Sequence, residues 1–317
     1  MSRTPHARIS AGVRHTTNMT VGEQADRIPT VIERLRRIRQ DLTPSEQQVV
    51  ETLMADYPLV AIGSLARFAE VARVSGPTVL RLINKLGYSG YPEFREQLRL
   101  ELSTRLSTPL DQPVVEGADE ESILPRAYRS FLESARDTWS GLNSTDVEYA
   151  LDLLADPARS VVFAGGTFSE IIAAHMARYL TLLRPNVIEV SPGRRPHAAA
   201  LLDVDSRTTA VVFDYRHYQQ ETIAFAAECR RRGAKVVLVC DRFLSPIASS
   251  ADVVLPTSVE GPPPFDSVIG GFMIADTLVS GVADRLGLQS RERLENYLQN
   301  IHDMSSPLAR ADDAVEA

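Results

Sequence analysis

Residues Leu65 to Tyr88 read LARFAEVARVSGPTVLRLINKLGY. Two short helix-forming runs flank a tight turn around Ser75-Gly76-Pro77. Ser75 is expected to cap the second helix, and Pro77 falls in its first turn, where a missing N–H costs little. Val79, Leu82, Ile83 and Leu86 recur at helical spacing and form a stripe that must dock on neighbouring helices. Thr78, Arg81 and Lys85 stand at i, i+3 and i+7, a spacing that places them together on the outward face. This is the pattern of a helix-turn-helix, whose second helix is offered to a DNA major groove. Arg81 can fork onto guanine O6 and N7, and Thr78 can touch a phosphate or a thymine methyl. Arg73 and Lys85 are better suited to phosphates, which set register rather than sequence. The plainer alternative is a solvated charged face, since many helical hairpins share this outline.

The chain on either side extends the helical pattern. Pro29 to Gln40 reads as a short amphipathic helix with Val31, Ile32, Leu35 and Ile38 on one side. Leu42-Thr43-Pro44-Ser45-Glu46 opens the next helix: Thr43 is a good N-cap and Glu46 closes a capping box. That helix buries Val49, Val50, Leu53 and Met54 and stops near Tyr57-Pro58. Pro92 to Leu106 is a further helix. Residues 108–119, with Pro109, Pro113 and Gly117, read as a linker.

Beyond the linker the period changes. After helices around 121–140 and 146–155, short apolar runs alternate with helical stretches. The strand candidates are Ser160–Ala164, Val187–Val190, Thr209–Asp214, Val236–Cys240 and Val253–Leu255, rich in Val, Ile or Phe as strands covered on both faces tend to be. Helices are expected at 168–183, 197–203, 219–232, 244–249 and 266–286. The alternation implies one parallel, doubly wound α/β sheet. The expected organisation is therefore a disordered tail (1–28), an all-α helix-turn-helix domain (29–107), the linker, an α/β domain (120–287) and a C-terminal helix and tail (288–317).

Composition narrows the class. A chain of 317 residues, 44% hydrophobic and 24% charged, has room for two globular domains. It has no apolar run long enough for a membrane span. The first residues carry Arg3, Arg8 and Arg14 without an acid; a tail, or a start at Met19, explains them better than a transit peptide. Cys229 and Cys240 fit no metal-ligand spacing and read as reduced, buried thiols, so neither metal nor cofactor is expected. Net charge is −7 but unevenly placed: residues 1–110 hold 15 Lys and Arg against 11 acids, and the remainder 19 against 30. The positive part is the one that carries the DNA-reading pattern, as counterion release requires.

A resemblance now emerges. Leu42-Thr43-Pro44-Ser45-Glu46, Ser64-Leu65-Ala66, Val74-Ser75 followed by Thr78-Val79 and Arg81-Leu82, and Lys85 through Tyr91 resemble the N-terminal domain of RpiR/MurR-type bacterial transcription regulators. The similarity runs through about residues 30–106. In that family the second domain is a sugar isomerase (SIS) fold, which residues 120–287 resemble. The resemblance implies a cytoplasmic, dimeric or tetrameric regulator of catabolic genes, commonly a repressor released by a phosphosugar. Its partners would be a double-stranded DNA operator, a small anionic metabolite and a second copy of itself.

The expected ligand site lies at the carboxyl ends of the strands. Gly165-Gly166-Thr167-Phe168-Ser169 opens a helix after the first strand, and backbone N–H groups there make an anion site. Gly165 and Ser169 fit the SIS Gly-x-Gly-x-Ser pattern, with Thr167 in place of the second glycine. After the third strand SIS domains carry Ser-x-Ser-Gly-x-Thr. Here Asp214 and Arg216 stand where the serines are expected, and Thr222 survives. Asp214 repels a phosphate, whereas Arg216 attracts one with a bidentate fork. Arg194 and Arg195, after the second strand, are further candidates for an acidic ligand, or plain solvated arginines. Tyr215 and Tyr218 read as stacking platforms or as caps on the sheet edge. His197 and His217 read as polar loop residues, and Trp139 as part of the core near the linker.

Two function classes follow. One is a ligand-responsive DNA-binding regulator with no catalytic residues. The other is a sugar-phosphate isomerase with an accessory helical domain, for which Glu170, Glu221 or His217 would be the general base. The DNA-reading pattern favours the first, because an isomerase has no use for it.

Overall fold

A computed structural model describes residues 29–38, 41–106 and 122–305. The expected tail (1–28), the linker (108–119) and the residues after Ser305 lie outside the described residues.

The first unit is helical: α1 (Val31–Arg37), α2 (Pro44–Ala55), a 3-10 turn at Leu59–Ala61, α3 (Leu65–Val71), α4 (Gly76–Lys85) and α5 (Tyr91–Leu106). Its helix starts are written in the sequence. Thr43 and Glu46 form the expected capping box, and Ser64 and Ser75 accept from Arg67 N and Thr78 N to cap α3 and α4. Arg73, at φ +54, makes the turn between α3 and α4, and Gly87, at φ +85, makes the turn after α4. Val49, Leu53, Phe68, Val79, Leu82, Ile83, Phe94 and Leu98 are buried together in one core, as the apolar periodicity requires.

The second unit begins with α6 (Ile123–Gly141) and α7 (Ser144–Ala155). It continues as β1 (Ser160–Gly165), α8 (Glu170–Leu183), β2 (Val187–Val190), α9 (Arg194–Ala200), β3 (Thr208–Asp214), α10 (Gln220–Arg231), β4 (Lys235–Asp241), β5 (Val253–Thr257), α11 (Ile269–Leu286) and α12 (Leu288–Ser305). The five strands form one parallel sheet in the order β2-β1-β3-β4-β5. Successive side chains alternate between its faces. Val161, Phe163, Val211 and Phe213 pack with Leu154, Met176, Ile274 and Leu278, from α7, α8 and α11. Val162, Ala164, Ala210 and Val212 pack with Phe225 and Cys229 of α10. The chain runs outward from β1 to β2 and then returns to β3, so the carboxyl ends of β1 and β3 border the crevice where such sheets take ligands.

Several expectations need correction. The edge strand β2 is not covered on both faces, since Ile188 is 40% exposed. The stretch 244–249 holds a 3-10 turn at Pro246–Ser249 rather than an α-helix. Trp139 is 47% exposed on α6 and is not a core residue. His197 is buried on α9 and stacked 4.7 Å from the Phe225 ring, so it is not a polar loop residue. Cys229 and Cys240 are buried and neither is in a disulfide. Among the described residues, no helix is long and apolar enough to cross a membrane.

The two units share apolar contact. Ile32 of α1 is buried in the same cluster as Val204, Phe225, Leu244 and Ile247, with Met54 and Tyr57 packed against it.

Candidate functional site

On α4 the apolar stripe faces inward and Arg81 and Lys85 are exposed. Thr78 departs from the outward reading. It is only 6% exposed, its hydroxyl lies 2.9 Å from Ser75 Oγ, and it accepts from Arg81 Nη2 at 3.2 Å. A residue four places before Leu82 sits at the edge of the docked face. Lys85 also has a second engagement: its Nζ donates to Glu46 Oε2 at 2.7 Å and to the Asp41 carbonyl at 3.1 Å. Burial raises the Glu46 pKa, but hydrogen bonds from Lys85 and Thr43 outweigh it and hold the carboxyl below its ordinary value. Ser75 serves as the helix cap, and Arg73 is exposed in the turn that precedes it.

At the crevice, Gly165 ends β1 where the chain folds back on itself. A Cβ there would lie 2.7 Å from Glu170 N and from the Ser169 carbonyl carbon, so only glycine fits. Ser169 is buried and satisfied internally: its hydroxyl accepts from Gly166 N at 2.9 Å and donates to the Phe213 carbonyl at 2.7 Å. Ser169 therefore ties the turn to β3 and does not present its hydroxyl to the crevice. Thr167 is exposed at the tip. Its N–H donates to Gln219 Oε1 at 3.1 Å, and Gln219 Nε2 donates to its hydroxyl at 2.6 Å, bridging the two loops.

The loop after β3 is organised around buried acids. Asp214 is 1% exposed and accepts from the Ser245 hydroxyl. Asp241, at the end of β4, is fully buried and accepts from the Tyr218 hydroxyl at 2.9 Å and from Phe243 N at 2.8 Å. Burial pushes Asp214 up to about 7 and Asp241 up to about 6. Asp214 is thus not a ligand contact in this arrangement. Arg216 forks onto Asp266, with Nε to Oδ2 at 2.7 Å and Nη2 to Oδ1. The Tyr215 hydroxyl accepts from Thr257 Oγ1 at 3.1 Å, which ties it to the end of β5. Thr222 is 1% exposed within the packing of α10. Arg194 and Arg195 are exposed on the first turn of α9, at the end of the edge strand.

The structure thus brings Gly165, Thr167, Ser169, Asp214 and Arg216 to one crevice. It adds Gln219, Ser245, Asp241 and Asp266, which the sequence reading missed. Asp241 ends a strand, which is the position where ligands gather in parallel sheets. Asp266 lies in an irregular loop 50 positions from its partner and gives no local signal. Among the described residues, no group of His, Cys, Asp and Glu is placed to hold a metal ion.

The chain matches two family models, a helix-turn-helix domain of the rpiR family over residues 30–105 and a SIS domain over residues 153–280. The two matches together are consistent with an RpiR-type regulator. A relative, the HTH-type transcriptional regulator HexR of Pseudomonas aeruginosa, is 26% identical, covering 88% of this chain and 98% of its own length. The fold is shared with the sugar isomerase domain of an RpiR transcription factor from Sphaerobacter thermophilus (TM-score 0.53, 19% identity, 56% of this chain and 99% of that one). It is shared too with the Vibrio vulnificus NanR protein, solved in complex with ManNAc-6P (TM-score 0.50, 16% identity, 87% of this chain and 99% of that one). The rpiR-family helix-turn-helix model and the HexR relatives support a ligand-responsive transcription regulator rather than an enzyme. The isomerase alternative is set aside, and with it the roles considered for Glu170, Glu221 and His217.

Proposed function

We propose that the chain is an operator-binding repressor of catabolic genes, released by a small anionic metabolite of phosphosugar type. The observation that carries the ligand half is the juxtaposition, at the β1/β3 crevice, of two elements. One is the Gly165–Ser169 turn that opens the 14-residue helix α8, and the other is the loop bearing Arg216 and Gln219. Backbone N–H groups at a helix start and a nearby guanidinium both favour an anion. Exposed Thr167 and half-buried Gln219 are polar groups at its mouth, and Arg194 and Arg195 add positive charge after β2. The repressor sense and the catabolic targets rest on the resemblance of residues 30–106.

For the DNA half, Arg81 reads a base edge, Arg73 meets a phosphate, and Ser75 and Thr78 hold the helix start and Arg81 in place. Lys85 contributes positive charge from the last turn. A dimer or tetramer would set two α4 helices on a pseudo-palindrome. Exposed Tyr297, Leu298 and Ile301 on α12 supply apolar surface for such self-association. The test is fluorescence anisotropy with a duplex selected by the protein from a random pool, titrated with hexose 6-phosphates, sugar acids and neutral sugars. A useful effector weakens operator binding by about 5- to 150-fold. Release by neutral sugars but by no anion would overturn the proposal.

A further inference from the structure

We propose that the β3–α10 loop is a latch between the sheet domain and the DNA-binding unit, with Tyr218 and Arg216 as its two coupling side chains. In its last step the proposal rests on reading the crevice as the effector site.

The latch has two halves, and both grip the carboxyl end of α5. Arg216 Nη1 donates to the Thr104 carbonyl at 2.9 Å. Thr104 lies in the last turn of α5, whose final carbonyls carry the negative end of its dipole. A guanidinium from the other domain therefore caps α5. One residue on, the Arg105 guanidinium lies 4.4 Å over the Tyr218 ring. Arg105 also donates to the Tyr57 carbonyl at 2.8 Å, and the Tyr57 hydroxyl donates to Glu101, which accepts from Val31 N at 2.8 Å. On the sheet side the Tyr218 hydroxyl is fixed by buried Asp241. A continuous set of contacts thus runs from the end of β4 through Tyr218, Arg105 and Tyr57 to the start of α1.

What is held at α5 is held at α4. Tyr88, just past α4, packs edge-on against Phe94 of α5 at 5.6 Å, and Leu86, Phe94 and Leu98 share one core. The Tyr91 hydroxyl donates to the Ala61 carbonyl at 2.8 Å. A close-packed helical unit moves as a body, so loosening α5 from the sheet domain re-aims the recognition helix.

The same loop borders the crevice. The edge of Arg216 that could fork onto an anion is occupied by Asp266. An anion seated beside the Gly165–Ser169 turn takes that edge, displaces Asp266 and turns Arg216 away from Thr104. The loop in which Asp214 and Arg216 stand in place of two serines is the part that reports occupancy to the DNA-binding unit.

Hydrogen exchange on the full-length protein tests the latch without any ligand. Arg105→Ala and Tyr218→Ala should each raise exchange in both segments, 98–106 and 214–220, by about tenfold. The double variant should do no more than either single one, and Tyr218→Phe, which keeps the ring, should preserve protection at 98–106. Exchange that rises only around the substituted residue, or adds fully in the double variant, overturns the latch. A globally unfolded alanine variant is recognised by exchange throughout the sheet, and Arg105→Lys then carries the comparison, with partial loosening expected and none overturning. Inorganic phosphate and glucose 6-phosphate supply the second arm. Protection at 165–170 with increased exchange at 98–106 supports the coupling. Protection at 165–170 without change at 98–106 overturns the coupling and leaves the effector site standing. If neither probe protects 165–170, the effector reading fails for these anions and the step in which an anion opens the latch falls with it, while the alanine variants still decide the latch.

Discussion

Lys85 in the last turn of the recognition helix donates to Glu46 across 39 positions of sequence, at 2.7 Å, with the Glu46 side chain only 4% exposed. The Lys85 ammonium therefore completes the capping box of α2 as well as carrying charge on the outward face. Removing it leaves a buried carboxylate with Thr43 as its remaining partner. Lys85→Ala should cost about 1–2 kcal/mol of unfolding free energy, discounted because Lys85 itself is part-exposed. Urea denaturation measures this, and an unchanged midpoint would show the pair to be energetically silent.

Arg81 should behave differently. Arg81→Ala is expected to leave stability nearly unchanged and to cost about 1–3 kcal/mol of specific DNA binding, with relaxed preference at one base pair. Arg73→Ala should weaken binding evenly across sequences and reduce the salt slope by about one. Anisotropy titrations at several salt concentrations separate the two. Equal effects would remove the division between base reading and phosphate contact.

Thr78 orients Arg81 through its hydroxyl. Thr78→Val, which keeps the shape and removes the acceptor, should lower operator affinity by a few-fold, about 1 kcal/mol. Thr78→Ser should restore it. If valine and serine behave alike in the same assay, Thr78 has only a packing role.

Ser169→Ala removes one hydrogen-bond partner each from Gly166 N and the Phe213 carbonyl, which keep only their direct 3.3 Å bond to each other in a buried turn. The expected cost is about 1–3 kcal/mol of stability. Thermal unfolding without ligand would show it, whereas a pure ligand contact would leave the unliganded protein unchanged.

Asp214 and Asp241 set a pH dependence. Both carboxyls are raised on folding, to about 7 and about 6, chiefly by burial. Folded protein then binds more protons than unfolded protein between the ordinary carboxyl value and these raised ones, so stability falls as pH rises through that window. Asp214 faces Ser245, Asp241, Gln219 N and Arg105, and Asp241 faces Tyr218, Phe243 N, Arg216 and Arg105. Glu46 has the opposite sign: its lowered pKa contributes stability that is lost on acidification below its ordinary value of 4.5. Melting temperatures from about pH 5 to 8 should decline for the natural protein and flatten in Asp214→Asn. A parallel decline in both would assign the dependence elsewhere.

The fold was largely legible because it is written in local rules. The capping box at Thr43, the caps at Ser64 and Ser75 and the stripe Val79, Leu82, Ile83 and Leu86 each depend on residues within a few positions. The site was less so. Arg216, Asp214 and Ser169 sit at the carboxyl ends of β1 and β3, but their contacts were not legible, since a motif position says where a side chain starts and not what it meets. Ser169 turned inward to β3, Asp214 to Ser245 and Arg216 to Asp266.

The sequence by itself determined the two-domain order, the parallel α/β pattern, the helix-turn-helix and the loops at the carboxyl ends of β1 and β3. Those follow from hydrophobic period, capping and glycine placement, which act over a few residues. Only the tertiary structure decided that Lys85 serves Glu46 and that Arg216 and Tyr218 meet Thr104 and Arg105. These partners lie 39 to 112 positions apart where a hydrogen bond joins them. Their pairing depends on how packed units align in space, and nothing within one helix or strand encodes it.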